Sequence, residues 1–303
     1  MRFESTSTLD IILNTLFSRY QENVTDVDLI TNALVEQGVV RSQSDIVNDH
    51  IAFRTLGVEH LGIASLEKIF LRQGYTKRDR YYFKVKKLDA NWYSPPSPEY
   101  PRVFISELRV GELSPAAREI ITKYTRDIHE DPLNKIDLDD GYAVGEFLHQ
   151  PLWSTPTKKE YETLLKESEY AAWVIYNRYY LNHYTISVHA LPEDYNTLEN
   201  FNQFLEEIGI TLNTAGGKIK VSPDGLLRQS STVSALKEVK FSCGNIAEIA
   251  GSYVEFAERR ILPQFRDLPR EQIKPEHRRD GFEAQNADKI FESTYSDQIR
   301  KKK

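Results

Sequence analysis

The sequence predicts an α+β chain in which a βαβββ unit occurs twice, with helices ahead of the first unit and a helical insert between the two. Three observations carry this. The order strand, helix, strands runs through residues 48–110 and returns through residues 182–260. A stretch with helical signals, residues 111–181, separates the two. Each unit opens on a histidine-bearing strand pattern, Asp49-His50-Ile-Ala-Phe-Arg54 and Asn182-His183-Tyr-Thr185. Residues 1–303 are then one domain, with N-terminal helices in 1–47 and a C-terminal helix or loose tail in 261–303.

Taken in order, Leu9, Ile12, Leu13, Leu16, Phe17 and Tyr20, then Val27, Ile30, Ala33 and Leu34, recur at helical spacing and predict two helices ending near Gly38. Asp49 to Leu56 reads as a strand, and Ser65 to Gln73 as a helix that starts at Ser65 and stops at Gly74. Aromatic and β-branched residues from Tyr75 to Trp92 predict extended chain, the Lys84-Val-Lys86-Lys87 run included. The Pro95-Pro96-Ser-Pro98 loop precedes a strand from Arg102 to Leu108. In the insert, Ser114-Pro115 marks a helix start and Thr157-Lys-Lys-Glu160 a capping box, with Trp153, Trp173 and the Tyr176 to Tyr180 run as packing. The second unit reads as a strand from His183 to Leu191 and a helix from Pro192 to Gly209. Extended segments follow at Lys218–Val221, Leu226–Thr232 and Ser252–Arg259. Phe104-Ile-Ser-Glu107 in the first unit then matches Tyr253-Val-Glu255 in the second.

Composition excludes several classes. At 303 residues, 40% hydrophobic and 28% charged, the chain is of ordinary globular make-up. No run reaches a membrane span and the first residues lack a signal-peptide layout, so the expected address is cytoplasmic. A net charge of -6, from 39 basic and 45 acidic side chains, argues against nucleic acid as a partner. The terminal Arg300-Lys-Lys-Lys303 reads as a frayed tail, and the lone Cys243 as buried filler. No motif of a zinc protease, a phosphate loop or a nucleophile elbow occurs. No feature fixes an oligomeric state.

What remains is a constellation of two histidines and a carboxylate, a set that suits a non-haem metal site with open coordination positions. Alternate residues of a strand share a face. His50, Ala52 and Arg54 therefore lie together, an imidazole fit for iron and a guanidinium fit for a carboxylate, separated by a small alanine. In the second unit His183 and His189 share a parity, and both stay candidates. In the last strand Glu255 parts from Val254, Phe256 and Glu258 and is the better candidate for a polar cavity. Each residue alone has an ordinary structural explanation; together they point to a metal.

His50-x-Ala-x-Arg54, Asn182-His183-x-Thr185, Ser222-Pro-Asp-Gly-Leu-Leu-x-Gln229-Ser-Ser231 and Tyr253-x-Glu255-x-x-x-Arg259 resemble the 2-oxoadipate dioxygenase/decarboxylase family, over about Asn48 to Arg260. The resemblance implies the vicinal-oxygen-chelate fold, in which paired βαβββ units curl into a half-barrel around one metal. It implies Fe(II) held by His50, His183 and Glu255, selects His183 over His189, and makes Arg54 the catalytic residue that anchors the substrate's carboxylate. Gln229 follows as a partner of the ligands or a substrate contact. The implied reaction joins a 2-oxo acid, 2-oxoadipate, with O₂ to give 2-hydroxyglutarate and CO₂ in lysine breakdown. Members of the family carry further C-terminal sequence that contributes to the pocket, whereas this chain has only the segment after Leu262, which leaves the length of the oxo acid open. Two alternatives stand beside it. One is a glyoxalase-like isomerase or lyase, with Glu107 turned inward as a fourth ligand. The other is a small-molecule-binding module without turnover.

Overall fold

Leu9, Ile12, Leu13, Leu16, Phe17 and Tyr20 form the buried stripe of α1 (Thr8–Asn23), and Val27, Ile30 and Leu34 that of α2 (Thr25–Glu36). The computed structural model describes residue 3 and residues 6–302; Met1, Arg2, Glu4, Ser5 and Lys303 lie outside the described residues. The first unit follows as β1 (Asn48–Leu56), α3 (Ile63–Arg72), β2 (Thr76–Phe83), β3 (Leu88–Ser94) and β4 (Arg102–Leu108). The insert is helical: α4 (Pro115–Thr125), α5 (Gly141–Phe147), α6 (Lys158–Glu167) and α7 (Glu169–Asn177). The second unit holds β5 (His183–Ser187), α8 (Leu198–Glu207), β6 (Lys220–Val221), β7 (Leu227–Ser231), β8 (Leu236–Lys240), β9 (Ile246–Ala250) and β10 (Tyr253–Arg259). The chain closes with α9 (Ala284–Ile290) and α10 (Ser296–Lys302).

Eight strands form one mixed sheet in the order β2-β3-β4-β1-β5-β10-β7-β6. Each unit supplies one half, in mirrored order: β1 pairs with β4 in parallel, and β5 with β10 in parallel. The halves meet where β1 and β5 run antiparallel. β1, β5 and β10 are therefore neighbours at the centre of the sheet and buried on both faces. The sheet is the half-barrel that the family resemblance implies, with α3 and α8 as the crossover helices that parallel pairing requires. No helix among the described residues is long and apolar enough to cross a membrane.

Several local expectations need correction. The helix after β1 begins at Ile63, because Gly62 (φ 78°) precedes it and the Glu107 carboxylate accepts the Ile63 N–H at 2.8 Å. A Cβ on residue 62 would meet that carboxylate at 2.5 Å, so the glycine makes room for the cap. The strand from His183 stops at Ser187, where Val188–Ala190 turn into a short 3₁₀ segment. The following helix starts at Leu198, with Thr197 as its N-cap. Lys84 to Lys87 form the turn between β2 and β3, with Lys87 at φ 56°. The β8–β9 ribbon is absent from the sequence reading, and Cys243 is exposed in its connecting turn, not buried. The Ser114 and Thr157 caps form as expected. At the C-terminus Arg300 to Lys302 continue α10, and the last residue of that basic run lies outside the described residues.

Candidate metal centre

His50, His183 and Glu255 come from three adjacent strands, and one ligand atom of each lies within 4.8 Å of the others. The registers explain the convergence: Ala52 faces His183 across β1 and β5, and Thr185 faces Glu255 across β5 and β10. His183 Nε2 lies 3.0 Å from Glu255 Oε2. His50 Nε2 lies 3.4 Å from Glu255 Oε1 and 3.4 Å from His183 Nε2. Thr185 Oγ1 stands 3.0 Å from His50 Nε2. All three side chains are buried.

The outer nitrogens fix the tautomers. His50 Nδ1 donates to Asp49 Oδ1 at 2.8 Å, and His183 Nδ1 donates to Asn182 Oδ1 at 3.1 Å. With both Nδ1 atoms protonated, the two Nε2 lone pairs face each other beside a carboxylate, and a cation is the species that satisfies all three. The residues thus fit a metal held by two imidazoles and one carboxylate. Burial opposes ionisation of Glu255, but the two imidazoles beside it outweigh this and hold its carboxyl far below the usual range. Burial likewise opposes a charge on His50, yet Glu255 and Asp49 raise its pKa, whereas burial lowers that of His183. Burial pushes the Asp49 carboxyl up and Arg259 overrides it, leaving the group well below its ordinary value. Gln229 Nε2 donates to Glu255 Oε1 at 2.6 Å, and its own oxygen accepts from Asn286 Nδ2 at 3.1 Å, so the amide orients the carboxylate.

Arg54 is 1% exposed and pairs with no carboxylate among the described residues. Its Nη1 donates to Thr294 Oγ1 at 2.8 Å and its Nη2 to the Phe291 carbonyl at 3.0 Å, while Nε has no partner. The guanidinium carbon lies 5.2 Å from the Tyr170 ring centre and 5.3 Å from that of Trp173. The buried Tyr253 hydroxyl lies beside Arg54 and Ser293. A cavity of about 20 Å³ adjoins the metal donors, lined by His50, Phe104, His183, Gln229, Tyr253 and Glu255 on the sheet and by Phe282, Ala287, Ile290 and Phe291 from the C-terminal segment. The segment after Leu262 is therefore no loose tail: it supplies one wall of the site.

His189 lies outside the cluster. β5 ends before it, and its Nδ1 accepts the Arg259 N–H at 3.2 Å, with burial taking its pKa down to about 4. Glu258 faces α8, accepting from Leu198 N at 3.0 Å and from Arg228 at 2.8 Å. Glu107 does not join the metal donors, and its expected match to Glu255 is off by register. His50 pairs with Arg102 and Ala52 with Phe104, as His183 pairs with Tyr253 and Thr185 with Glu255. The counterpart of Glu255 is Phe104, and Glu107 points to the opposite face, where it caps α3. Sequence reasoning assigned no role to Asp49, Asn182, Tyr253, Arg259, Phe282 or Thr294. A polar residue immediately before each histidine was the available signal for the first pair.

Fold and site together define a protein of the vicinal-oxygen-chelate type with a buried triad of two histidines and one glutamate that could hold a metal ion. A glyoxalase superfamily structure from Ralstonia eutropha has the same fold, at TM-score 0.69 and 22% identity over 87% of each chain. The sequence pattern of the 2-oxoadipate dioxygenase/decarboxylase family matches residues 12–273, and the chain belongs to that family. A chloroplastic 2-oxoadipate dioxygenase/decarboxylase of Arabidopsis thaliana is 46% identical over 277 residues, 87% of this chain and 73% of the plant protein. The crystal structure of a hydroxyglutarate synthase from Oryza sativa in complex with 2-oxoadipate matches at TM-score 0.87 and 41% identity, covering 95% of this chain and 92% of that one.

Proposed function

We infer that this chain is an Fe(II)-dependent dioxygenase/decarboxylase that converts 2-oxoadipate and O₂ to 2-hydroxyglutarate and CO₂. The observation that carries the reading is the buried His50, His183 and Glu255 cluster in a member of this family. Atoms balance without a further reactant: six carbons and seven oxygens enter, and five carbons with five oxygens leave beside CO₂. The oxo acid supplies its own electrons, so no separate 2-oxoglutarate is consumed. We read the step as part of lysine breakdown, residues 1–303 as one catalytic domain, and the address as cytoplasmic; imaging of a tagged chain tests the last of these.

Bound at this triad, Fe(II) would supply the redox chemistry and the place where oxo acid and O₂ meet. The protein's part is positional. Asp49 and Asn182 hold the imidazoles with Nε2 inward, and Gln229 steadies the Glu255 carboxylate. Arg54, a buried cation with no counter-ion among the described residues, receives the distal carboxylate, with its Nε as an unused donor and the Tyr253 hydroxyl beside it. Phe104, Phe282 and Phe291 keep water from the reacting carbon. At about 20 Å³ the cavity has room for about one water, so a six-carbon dicarboxylate enters only when the C-terminal wall shifts.

The test is anaerobic loading with Fe(II), addition of 2-oxoadipate, then O₂, with oxygen uptake, CO₂ and 2-hydroxyglutarate measured. One CO₂ per O₂ is expected. A loaded protein that consumes no O₂ with 2-oxoadipate or any shorter or longer 2-oxo acid sinks the proposal.

A further inference from the structure

Asp49 does more than hold one imidazole. Its Oδ1 accepts from His50 Nδ1 at 2.8 Å and from Arg259 Nη2 at 2.8 Å, and its Oδ2 accepts from Arg259 Nε at 2.6 Å. One edge of the Arg259 guanidinium is thereby engaged in a two-bond fork. Nη1, at the other edge, donates to the carbonyls of Arg279 at 3.0 Å and Gly281 at 2.7 Å. Those carbonyls stand just before Phe282, whose ring meets the His50 ring edge-on at 4.8 Å and forms part of the cavity wall. Arg259 and Asp49 are 2% and 1% exposed, so these bonds have no water to replace them. A second arginine grips the same turn: Arg102 Nε donates to Asp280 Oδ1 at 2.6 Å, and its Nη1 lies 3.8 Å from Asp49 Oδ2.

We propose that Arg259 is a positioning residue that couples the orientation of the His50 imidazole to the seating of residues 279–282 over the metal cavity. The coupling rests on His50 being a metal ligand, as assigned above. A rigid planar fork transmits an angle as well as a charge, because moving the carbonyls of the turn rotates the guanidinium and with it the carboxylate that sets His50. The effect runs both ways: whatever fixes His50 favours the seated turn, and whatever seats the turn favours a correctly aimed His50. Substrate entry, which has to displace this wall, is then linked to the metal rather than independent of it.

Two variants separate coupling from mere support. Arg259→Lys keeps the charge and loses the fork. Gly281→Ala leaves Arg259 intact and strains the turn, because residue 281 has φ 71°, a backbone conformation that side chains rarely adopt. Fe(II) affinity is measured anaerobically by titration with the metal alone, and amide hydrogen exchange at residues 280–283 is followed with and without Fe(II). In the unaltered protein Fe(II) slows exchange at 280–283. Arg259→Lys weakens Fe(II) binding about tenfold, as loss of an outer-shell partner does, and abolishes the metal-dependent change in exchange. Gly281→Ala, whose backbone touches no ligand, weakens Fe(II) binding about fivefold, the low end of ordinary coupling between sites. If Arg259→Lys fails to fold, Gly281→Ala decides alone. Loosened exchange in Gly281→Ala with unchanged Fe(II) affinity overturns the coupling, as does a metal-dependent change that persists in a folded Arg259→Lys. An unaltered protein that binds no Fe(II) overturns the metal assignment and this inference with it.

Discussion

The two βαβββ units share strand order and register, yet they equip the site unequally. Each places a histidine at the same point of its first strand, His50 and His183, and a side-chain oxygen on the residue before it, Asp49 and Asn182. At the next equivalent point they part: the second unit has Glu255 where the first has Phe104. Four residues beyond the histidine the imbalance reverses, with Arg54 in the first unit and Ser187 in the second. A symmetric scaffold that filled both positions alike would close four sites on the metal. With the ligands proposed above, this one would close three and set a cation to one side, which would leave room for a chelating oxo acid and for O₂.

Removing the second unit's contribution has the largest effect. Glu255→Ala should cost more than about a hundredfold in metal affinity, beyond the range of outer-shell changes, and abolish oxygen uptake; elemental analysis and an oxygen electrode read both. Making the units alike comes next. Phe104→Glu should keep the metal bound while oxygen uptake with 2-oxoadipate falls steeply, and near-normal uptake in a metal-loaded variant would show that the matched positions are not functionally equivalent. Stripping the first unit of its cation is milder. Arg54→Ala removes charged hydrogen bonds of about 1.5–3 kcal/mol and should lower kcat/KM by about 10- to 100-fold with metal content intact. Loss of the metal in that variant would contradict the division of labour.

Acid probes the charged partner of the first unit. Because Glu255 and Asp49 raise the His50 pKa above its ordinary 6.5, a proton competes for Nε2 at a higher pH than at an isolated histidine. Metal binding should therefore weaken as pH falls, with the decline beginning above 6.5; titrations across pH that show a decline only well below that value would remove Asp49 and Glu255 as the cause. The smallest effect belongs to the neutral partner. Asn182→Ala should lower metal affinity by about tenfold or less, since an amide oxygen holds an imidazole less firmly than a carboxylate does.

How much of this the sequence exposes depends on how far each interaction reaches along the chain. β1, β4 and β10 are legible because buried strands need β-branched and aromatic residues, and strand parity alone sets His50 with Arg54 and parts Glu255 from Glu258. Parity fails at His189 because β5 ends at Ser187, a boundary set by the turn rather than by composition. The start of α3 is misplaced because its cap, Glu107, lies 44 residues away. The β8–β9 ribbon is hidden by its half-exposed, charge-interleaved strands, in which Ile249 is the one fully buried residue. The C-terminal wall is hidden for a related reason: Phe282 stands apart, and Ala284, Ala287, Ile290 and Phe291 make a helical stripe only two turns long, half of it alanine, in a polar stretch. Glu107 shows the limit of matching by sequence alone, since a three-residue offset on a strand reverses the face.

The C-terminal wall also divides the molecule into two levels of permanence. His50, His183 and Glu255 all lie on hydrogen-bonded strands at the sheet centre, whereas Ala284 to Thr294, with Phe282 just ahead of them, form one short helix and a 3₁₀ turn laid over them. Elements of that kind open at lower free energy than a central sheet. A transient departure of this cover would thus bare the triad to solvent and oxidants without disturbing the strands, so the exposure of the centre is set by the latching of its cover, not by the unfolding of the barrel beneath it.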